Sequence, residues 1–285
     1  MKRYKNVLAT VVASFFLLTV AHAQTSQVTA IPLDQYEQAI GSRSVSFLAH
    51  DLETGTRYVL DGSDLESRHA PWSTFKIPNL IIALESGFTA DLDTMHPWDQ
   101  RARPPRSWWP EAWRQDQSLR TAFQRSAVWY FQDVAQHVGA PAYRDQLTAW
   151  DYGNANAPDG SDSFWLAGEL EISVAEQVSF LSRLMTGDLR VEEALLTALT
   201  DASLAQQIDD YALHGKTGGG TVIPGDFSGP FEGWYVGFVE RNDALPVIFA
   251  FHTQGPSWDS IRQFRQSFAT RLLVDVDLLP AAFAD

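Results

Sequence analysis

The sequence predicts an α/β (α+β) chain: an antiparallel sheet flanked by terminal helices, with a mainly helical lobe inserted. Three observations predict it. Short runs that read as strands stand at both ends of the chain, first Ser44 to His50 and Arg57 to Leu60, later Tyr211 to Lys216 and then Gly233 to Glu240 and Pro246 to Thr253, the last two apolar and rich in aromatic and β-branched residues. Between them the pattern is mostly helical. Amphipathic segments bracket the strands, Asp34 to Ile40 before them and Asp259 to Val274 after them. Strands at both ends with helices between them suggest a sheet covered by helices, with a helical lobe inserted. On this reading residues 24–285 form a single domain, with a sheet lobe from about 24–70 and 205–285 and a helical lobe of about 71–204.

In order along the chain, Asp34 to Ile40 reads as a short helix. Asp51-Leu52-Glu53-Thr54-Gly55-Thr56 is a hairpin turn between the first two strands, with glycine for the positive φ. The apolar run Ile77 to Leu84 follows Pro71-Trp72-Ser73-Thr74-Phe75-Lys76 as a helix that ends near Gly87. Trp98 to Trp113 is rich in proline, tryptophan and arginine and reads as an irregular surface loop, its tryptophans packing the loop down or meeting a ligand. Leu119 to Val138 has helical spacing throughout, with Ser126-Ala127-Val128 inside it. Tyr152-Gly153-Asn154 opens a loop rich in Asn, Asp, Gly and Pro. Ser173 with Glu176 three residues on is a capping box that starts a helix. Val191 to Leu204 is another helix. Arg241-Asn242-Asp243 joins the last two strands.

The first 23 residues read as a secretory signal peptide. Lys2, Arg3 and Lys5 make a positive start, Val7 to Val20 is mainly apolar, and Ala21-His22-Ala23 is a small-x-small cleavage site. The mature chain then begins at Gln24, in the periplasm or outside the cell. Losing three positive charges and no negative one takes the formal charge from −14 to −17. So acidic a chain argues against a nucleic-acid partner. No later segment is apolar enough for a membrane span. There are no cysteines, which excludes disulfides, zinc–thiolate sites and cysteine nucleophiles. The seven histidines lack metal-ligand spacing such as His-Glu-x-x-His, so no metal is expected.

Ser73 and Lys76 stand three residues apart at the start of an apolar run, where residues share a helix face. A serine is a weak nucleophile until a base takes its proton. A lysine becomes a base when burial lowers its pKa, and Trp72, Phe75, Ile77 and Ile81 can bury this one. A helix N-terminus adds free N–H groups that suit a developing oxyanion. Alone, the pattern also describes a capping serine and a surface lysine. The lysine count favours the chemistry. The chain has four lysines, Lys2, Lys5, Lys76 and Lys216, and arginine elsewhere. Arginine cannot serve as a base; a desolvated lysine can. Lys216 lies in Lys216-Thr217-Gly218, and Ser-x-x-Lys with Lys-Thr-Gly marks serine β-lactamases and penicillin-binding proteins.

Five elements stand in one order: Ser73-Thr74-Phe75-Lys76, Ser126-Ala127-Val128, Tyr152-Gly153-Asn154, Phe164-Trp165-Leu166-x-Gly168 and Lys216-Thr217-Gly218. The set resembles the class D, oxacillinase-type serine β-lactamases, from about residue 31 to the C-terminal helix. Ser-x-Val followed by Tyr-Gly-Asn points to class D rather than class A or C. The resemblance implies a serine β-lactamase/penicillin-binding-protein-like fold and hydrolysis of penicillin-type β-lactams through an acyl-enzyme. It implies Ser73 as the nucleophile and Lys76 as a lysine carboxylated by carbon dioxide or bicarbonate, the base of both half-reactions. Trp165 resembles the indole that hydrogen-bonds the carbamate, and Ser126 the serine that relays a proton to the leaving nitrogen. Lys216, Thr217 and Arg262 resemble the ligands of the substrate carboxylate. The N–H groups of Ser73 and Gly219 match the oxyanion hole. Val128 and Leu166 match an apolar pair over the carbamate that controls water.

The sequence departs from that pattern in three places. Trp72 stands where the family usually has a small residue, and Gly219 where an aromatic is common. The segment from Gly219 to Glu232 is longer than the usual hairpin. Two other functions share the motifs: a sensor-like domain that binds β-lactams without hydrolysing them, and a D,D-peptidase or esterase of the Ser-x-x-Lys superfamily.

Overall fold

Two apolar runs near the C-terminus form the centre of a seven-stranded sheet, and both faces of that sheet are covered. The computed structural model describes residues 27–166 and 168–284. The expected signal segment, residues 1–23, lies outside the described residues.

The chain opens with β1 (Val28–Ile31), a 3-10 turn and α1 (Glu37–Ile40), then β2 (Ser44–Asp51) and β3 (Thr56–Leu60). After the nucleophile turn come α2 (Lys76–Glu85), a small ribbon of β4 (Met95–His96) and β5 (Gln117–Ser118), α3 (Leu119–Arg125), α4 (Val128–Val138), α5 (Ala140–Ala149), α6 (Val174–Met185) and α7 (Glu193–Ser203). The chain returns to the sheet as β6 (Leu204–Ile208), β7 (Tyr211–Thr221), β8 (Phe231–Arg241) and β9 (Ala244–Gly255), and closes with α8 (Trp258–Ile261) and α9 (Phe264–Asp275).

The strand order is β1-β3-β2-β9-β8-β7-β6. Every pairing is antiparallel except β1 with β3, so the sheet is mixed where the sequence reading expected a purely antiparallel one. β1 is a four-residue edge strand, too short for its alternation to stand out in the sequence, and only Ile31 in it is buried. Side chains alternate across a strand. Phe47, Tyr235, Phe249 and Phe251 face one core with Phe268, Leu272 and Leu273 of α9. Leu48, Trp234, Val236, Ile248 and Ala250 face the other, with the helical lobe. Burial on both faces explains the near-continuous apolar runs of β8 and β9.

Inside the lobe, α2 is buried from Lys76 to Ala83, as a helix apolar on nearly all sides must be. The single helix expected over Leu119 to Val138 is two helices. Ser126 between them adopts a left-handed conformation, φ 59°, and ends α3. The expected C-terminal helix likewise divides into α8 and α9. α5 was not anticipated; Pro141 in its first turn fits a helix start. The capping box of Ser173 and Glu176 is present at α6. The Trp98 to Trp113 loop is packed down rather than open: Trp109 and Trp113 are buried, and the Trp113 carbonyl accepts from Trp129 Nε1 at 2.7 Å. Trp108 is 52 % exposed.

Candidate active site

Ser73 lies on a single 3-10 turn, Trp72–Phe75, that runs directly into α2. The turn places Lys76 Nζ 3.0 Å from Ser73 Oγ. Lys76 is fully buried. Burial, with the nearby charge of Lys216 second, holds its pKa well below that of a free lysine. Its Nζ lies 5.0 Å from the centroid of the Phe131 ring. Thr74 points away into the lobe, donating to the Pro71 carbonyl at 2.6 Å and accepting from Gln177 Nε2 at 3.1 Å.

The left-handed turn at Ser126 brings a second serine to the same place. Its Oγ is 2.5 Å from Lys216 Nζ on β7. Lys216 also donates to the Thr217 carbonyl at 3.1 Å. Burial, and next the charge of Arg265, bring its pKa down to about 7. β7 passes close to the nucleophile turn because residue 218 is glycine: a Cβ there would stand 2.8 Å from the Pro71 carbonyl oxygen and 3.1 Å from the Thr74 nitrogen. Thr217 is half-buried on the same strand.

Trp165 is wholly buried and stacks on Phe75, ring centroids 5.5 Å apart. Among the described residues its Nε1 has no hydrogen-bond acceptor. Such a donor is costly to leave unmade. Val128 and Leu166 belong to the same apolar cluster as Phe75, Phe131 and Trp165. Tyr152-Gly153-Asn154 serves the Trp165 loop from behind. Tyr152 packs edge-on against Phe75, and Asn154 ties down that loop through the Glu169 carbonyl at 2.9 Å and the Glu171 N–H at 3.1 Å.

The structure places Arg262 and Arg265 differently. Arg262 is exposed, whereas Arg265 is buried and donates from Nη1 to the Gly218 carbonyl at 2.5 Å. Its guanidinium also covers the Trp258 ring at 4.8 Å. Burial, then the charge of Arg262, lowers its pKa to about 10. Ile261, Arg265 and Phe268, spaced four and three residues apart, form the buried face of this segment, and Arg262 falls outside it. The helical spacing of Arg265 from Ile261 and Phe268 is the signal in the sequence for its burial.

The site therefore gathers Ser73, Lys76, Ser126, Trp165, Lys216, Thr217 and Gly219 at one junction of lobe and sheet, with Arg265 in the place given to Arg262. The penicillin binding protein transpeptidase domain family matches residues 18–201. The chain is 35 % identical over 211 residues to the OXA-5 β-lactamase of Pseudomonas aeruginosa, covering 74 % of this chain and 76 % of that protein. Its fold is similar to the C-terminal domain of the Bacillus licheniformis BlaR penicillin receptor, with TM-score 0.79, 27 % identity and coverage of 90 % of this chain and 99 % of the other. It is equally similar to a class D β-lactamase from Sebaldella termitidis, with TM-score 0.79, 25 % identity and coverage of 89 % and 99 %. The motifs, the fold and these relatives agree: the chain belongs to the class D β-lactamases.

Proposed function

We propose that the protein opens the β-lactam ring of penicillin-type antibiotics through an acyl-enzyme on Ser73. The observation that carries this reading is the 3.0 Å approach of the fully buried Lys76 amine to Ser73 Oγ. A lysine that burial keeps neutral accepts the serine proton as Oγ attacks the lactam carbonyl. The N–H groups of Ser73 and Gly219 hold the oxygen that becomes negative. The C–N bond of the ring then breaks, and its nitrogen takes a proton from Ser126, which Lys216 resupplies across 2.5 Å. Lys216, Thr217 and Arg265 bind the substrate carboxylate, replacing the trio that included Arg262. Charge-assisted hydrogen bonds of this kind are the strong ones.

The residues also fit carboxylation of Lys76. Addition of carbon dioxide needs a neutral amine, which burial supplies, and the product needs a donor, which the unpartnered Trp165 Nε1 supplies. A carbamate would give the site an oxygen base for both half-reactions. Val128 and Leu166 limit the water that reaches it. The proposal includes export: cleavage after Ala23 releases residues 24–285 as one domain, with its sheet lobe and helical lobe packed together. Among the described residues no helix is long and apolar enough to cross a membrane.

The BlaR likeness keeps a second reading in view, a domain that is acylated and stays so. Turnover of a chromogenic cephalosporin separates the two. Many products per enzyme molecule support the hydrolase; one equivalent and then silence supports the receptor. Release of D-alanine from a peptide without β-lactam turnover would sink both in favour of a peptidase.

A further inference from the structure

The stretch that delivers Ser73 is tied down residue by residue. The His69 backbone bridges to Ile172 in both directions, at 3.0 and 2.9 Å. The Ala70 carbonyl accepts from Trp234 Nε1 at 2.9 Å. The Trp72 N–H donates to the Trp165 carbonyl at 3.1 Å. Trp72 itself holds φ 51°, a left-handed conformation that a bulky residue rarely adopts. Its indole Nε1 donates to Glu232 Oε1 at 2.7 Å.

Glu232 is a buried carboxylate on β8 whose second oxygen serves two histidines. His69 Nδ1 lies 3.3 Å and His252 Nε2 3.4 Å from Oε2. The three ligand atoms fall within 4.8 Å of one another, close enough to suggest a metal. The contacts are accounted for without one, because one nitrogen of each imidazole lies at hydrogen-bonding distance from the same carboxylate oxygen. The two imidazoles stack, with centroids 4.0 Å apart and planes 20° apart. The cluster is a hydrogen-bonded anchor. The charged and titratable groups that face it are Glu232, His69, His252 and Asp64. Its free oxygen is aimed at Trp72.

The position of the indole says what is anchored. A Cβ on Gly220 would meet the six-membered ring of Trp72 at 2.2 to 2.5 Å, so the indole lies flat on that glycine. Gly220 is the β7 residue paired with Glu232 and directly follows Gly219. Trp72 is thus bonded through its own peptide to the Ser73 N–H, and packed by its side chain on the neighbour of the Gly219 N–H. One side chain links the two donors assigned to the oxyanion hole.

We propose that Trp72 is a positioning residue for the oxyanion hole, and that the His69–Glu232–His252 cluster is the anchor that holds it. This rests on the reading of Ser73 and Gly219 as the oxyanion donors. Trp72 spans the gap between the nucleophile turn and β7, and Glu232 fixes the span. Oxyanion bonds strengthen only in the transition state, so the loss should fall on the acylation rate and leave substrate affinity alone.

The test is single-turnover acylation by a chromogenic cephalosporin, expressed per Ser73 counted by active-site titration. Counting sites removes any loss from misfolded protein, which is all that a merely structural role would produce. Trp72→Ala should slow acylation by about tenfold or more, less than the hundredfold or greater cost of deleting a donor outright. The dissociation constant of the encounter complex should stay within about twofold of the parent's. Trp72→Phe, which keeps a ring on Gly220, should recover part of the rate. Glu232→Gln should move the rate in the same direction as Trp72→Ala, and it carries the test if Trp72→Ala does not fold. A wild-type acylation rate per site in both variants overturns the proposal, as does a loss confined to affinity. Mass labelling of the parent enzyme by a penicillin keeps the two readings apart. If Ser73 is not acylated there, the underlying site is wrong. If it is acylated and the variants acylate normally, only the role of Trp72 falls.

Discussion

Lys76 Nζ and Ser73 Oγ lie 3.0 Å apart, one turn from each other at the head of α2, and the amine has no exposed surface. That pairing makes Ser73 the residue a β-lactam should acylate. A penicillin should add its mass to a single peptide, the one carrying Ser73. Ser73→Ala should remove the adduct and reduce turnover to background, a loss of several orders of magnitude. Labelling on Ser126 would exchange the roles of the two serines.

Lys216 should write a limb into the pH profile. Burial, then the neighbouring Arg265 charge, brings it to about 7. As the proton source behind Ser126 and a ligand of the substrate anion, it acts in its charged form. The kcat/KM ratio reports groups of the free enzyme, so it should fall above about pH 7, tenfold per unit at the limit. A bound anion favours the charged lysine, so the same limb in kcat should move to higher pH. Lys216→Arg should abolish the limb in kcat/KM, because arginine stays charged throughout. A profile flat from pH 6 to 9 in the parent would count against the assignment.

The two arginines of the C-terminal segment should behave differently. Arg265 is buried against the Gly218 carbonyl, and its Nε lacks an acceptor among the described residues. Arg265→Ala should raise KM by about tenfold or more, with a smaller change in kcat, because a carboxylate is held in ground and transition states alike. Arg262→Ala should leave both within about twofold. If the order of the two effects is reversed, the exposed arginine reaches the substrate and the buried one is structural.

This pair also shows where the sequence ran out. The order of motifs carried the fold, and Ser73 and Lys76 meet because a three-residue spacing puts them one turn apart. Ser126 approaches Lys216 through a left-handed break that helical periodicity cannot reveal, since Ser in that conformation is uncommon. Arg265 and Arg262 differ in burial, and the periodicity set by Ile261 and Phe268 separates them where the tripeptide around Arg262 does not. Glu232, His69 and His252 are far apart in the chain and come together only through β8, β9 and the strap before Ser73. Trp72 was visible as an oddity beside the nucleophile, but its partner lies 160 residues away.

The same cluster should make stability sensitive to acid. Burial alone raises the Glu232 pKa, but hydrogen bonds from His252, His69 and Trp72 outweigh it and hold the carboxyl at about 2, against an ordinary 4.5. Between these values the unfolded chain binds more protons, so the contribution is present above about 4.5 and drains away as pH falls toward 2. In full it is on the order of 3 kcal/mol. Burial lowers the His252 pKa, which acts in the same direction below its ordinary 6.5. Urea unfolding at pH 7, 5, 4 and 3 should show a steep loss in the parent. Glu232→Gln should be less stable at pH 7 by roughly 1–3 kcal/mol and lose less on acidification. Equal slopes for the two proteins would place the acid sensitivity elsewhere.

The last expectation is that Lys76 is carboxylated and that hydrolysis depends on it. Residues 24–285 contain two lysines, Lys76 and Lys216, so the measurement has few sources of signal. With labelled bicarbonate, carbon-13 NMR should show one side-chain carbamate. Lys76→Ala should abolish it, and Lys216→Arg should leave it. The sign with pH follows from the amine: burial lowers the Lys76 pKa, so the neutral form survives to lower pH than in a free lysine. Once acid protonates the amine, carbon dioxide leaves. Activity should then fall, and bicarbonate at neutral pH should restore it. Trp165→Ala removes a buried donor that lacks a partner among the described residues and should weaken the carbamate. It should slow deacylation more than acylation, so that acyl-enzyme accumulates. Full turnover with no carbamate signal and no bicarbonate response would leave the free amine of Lys76 as the base. The unpaired Trp165 Nε1 would then need another acceptor.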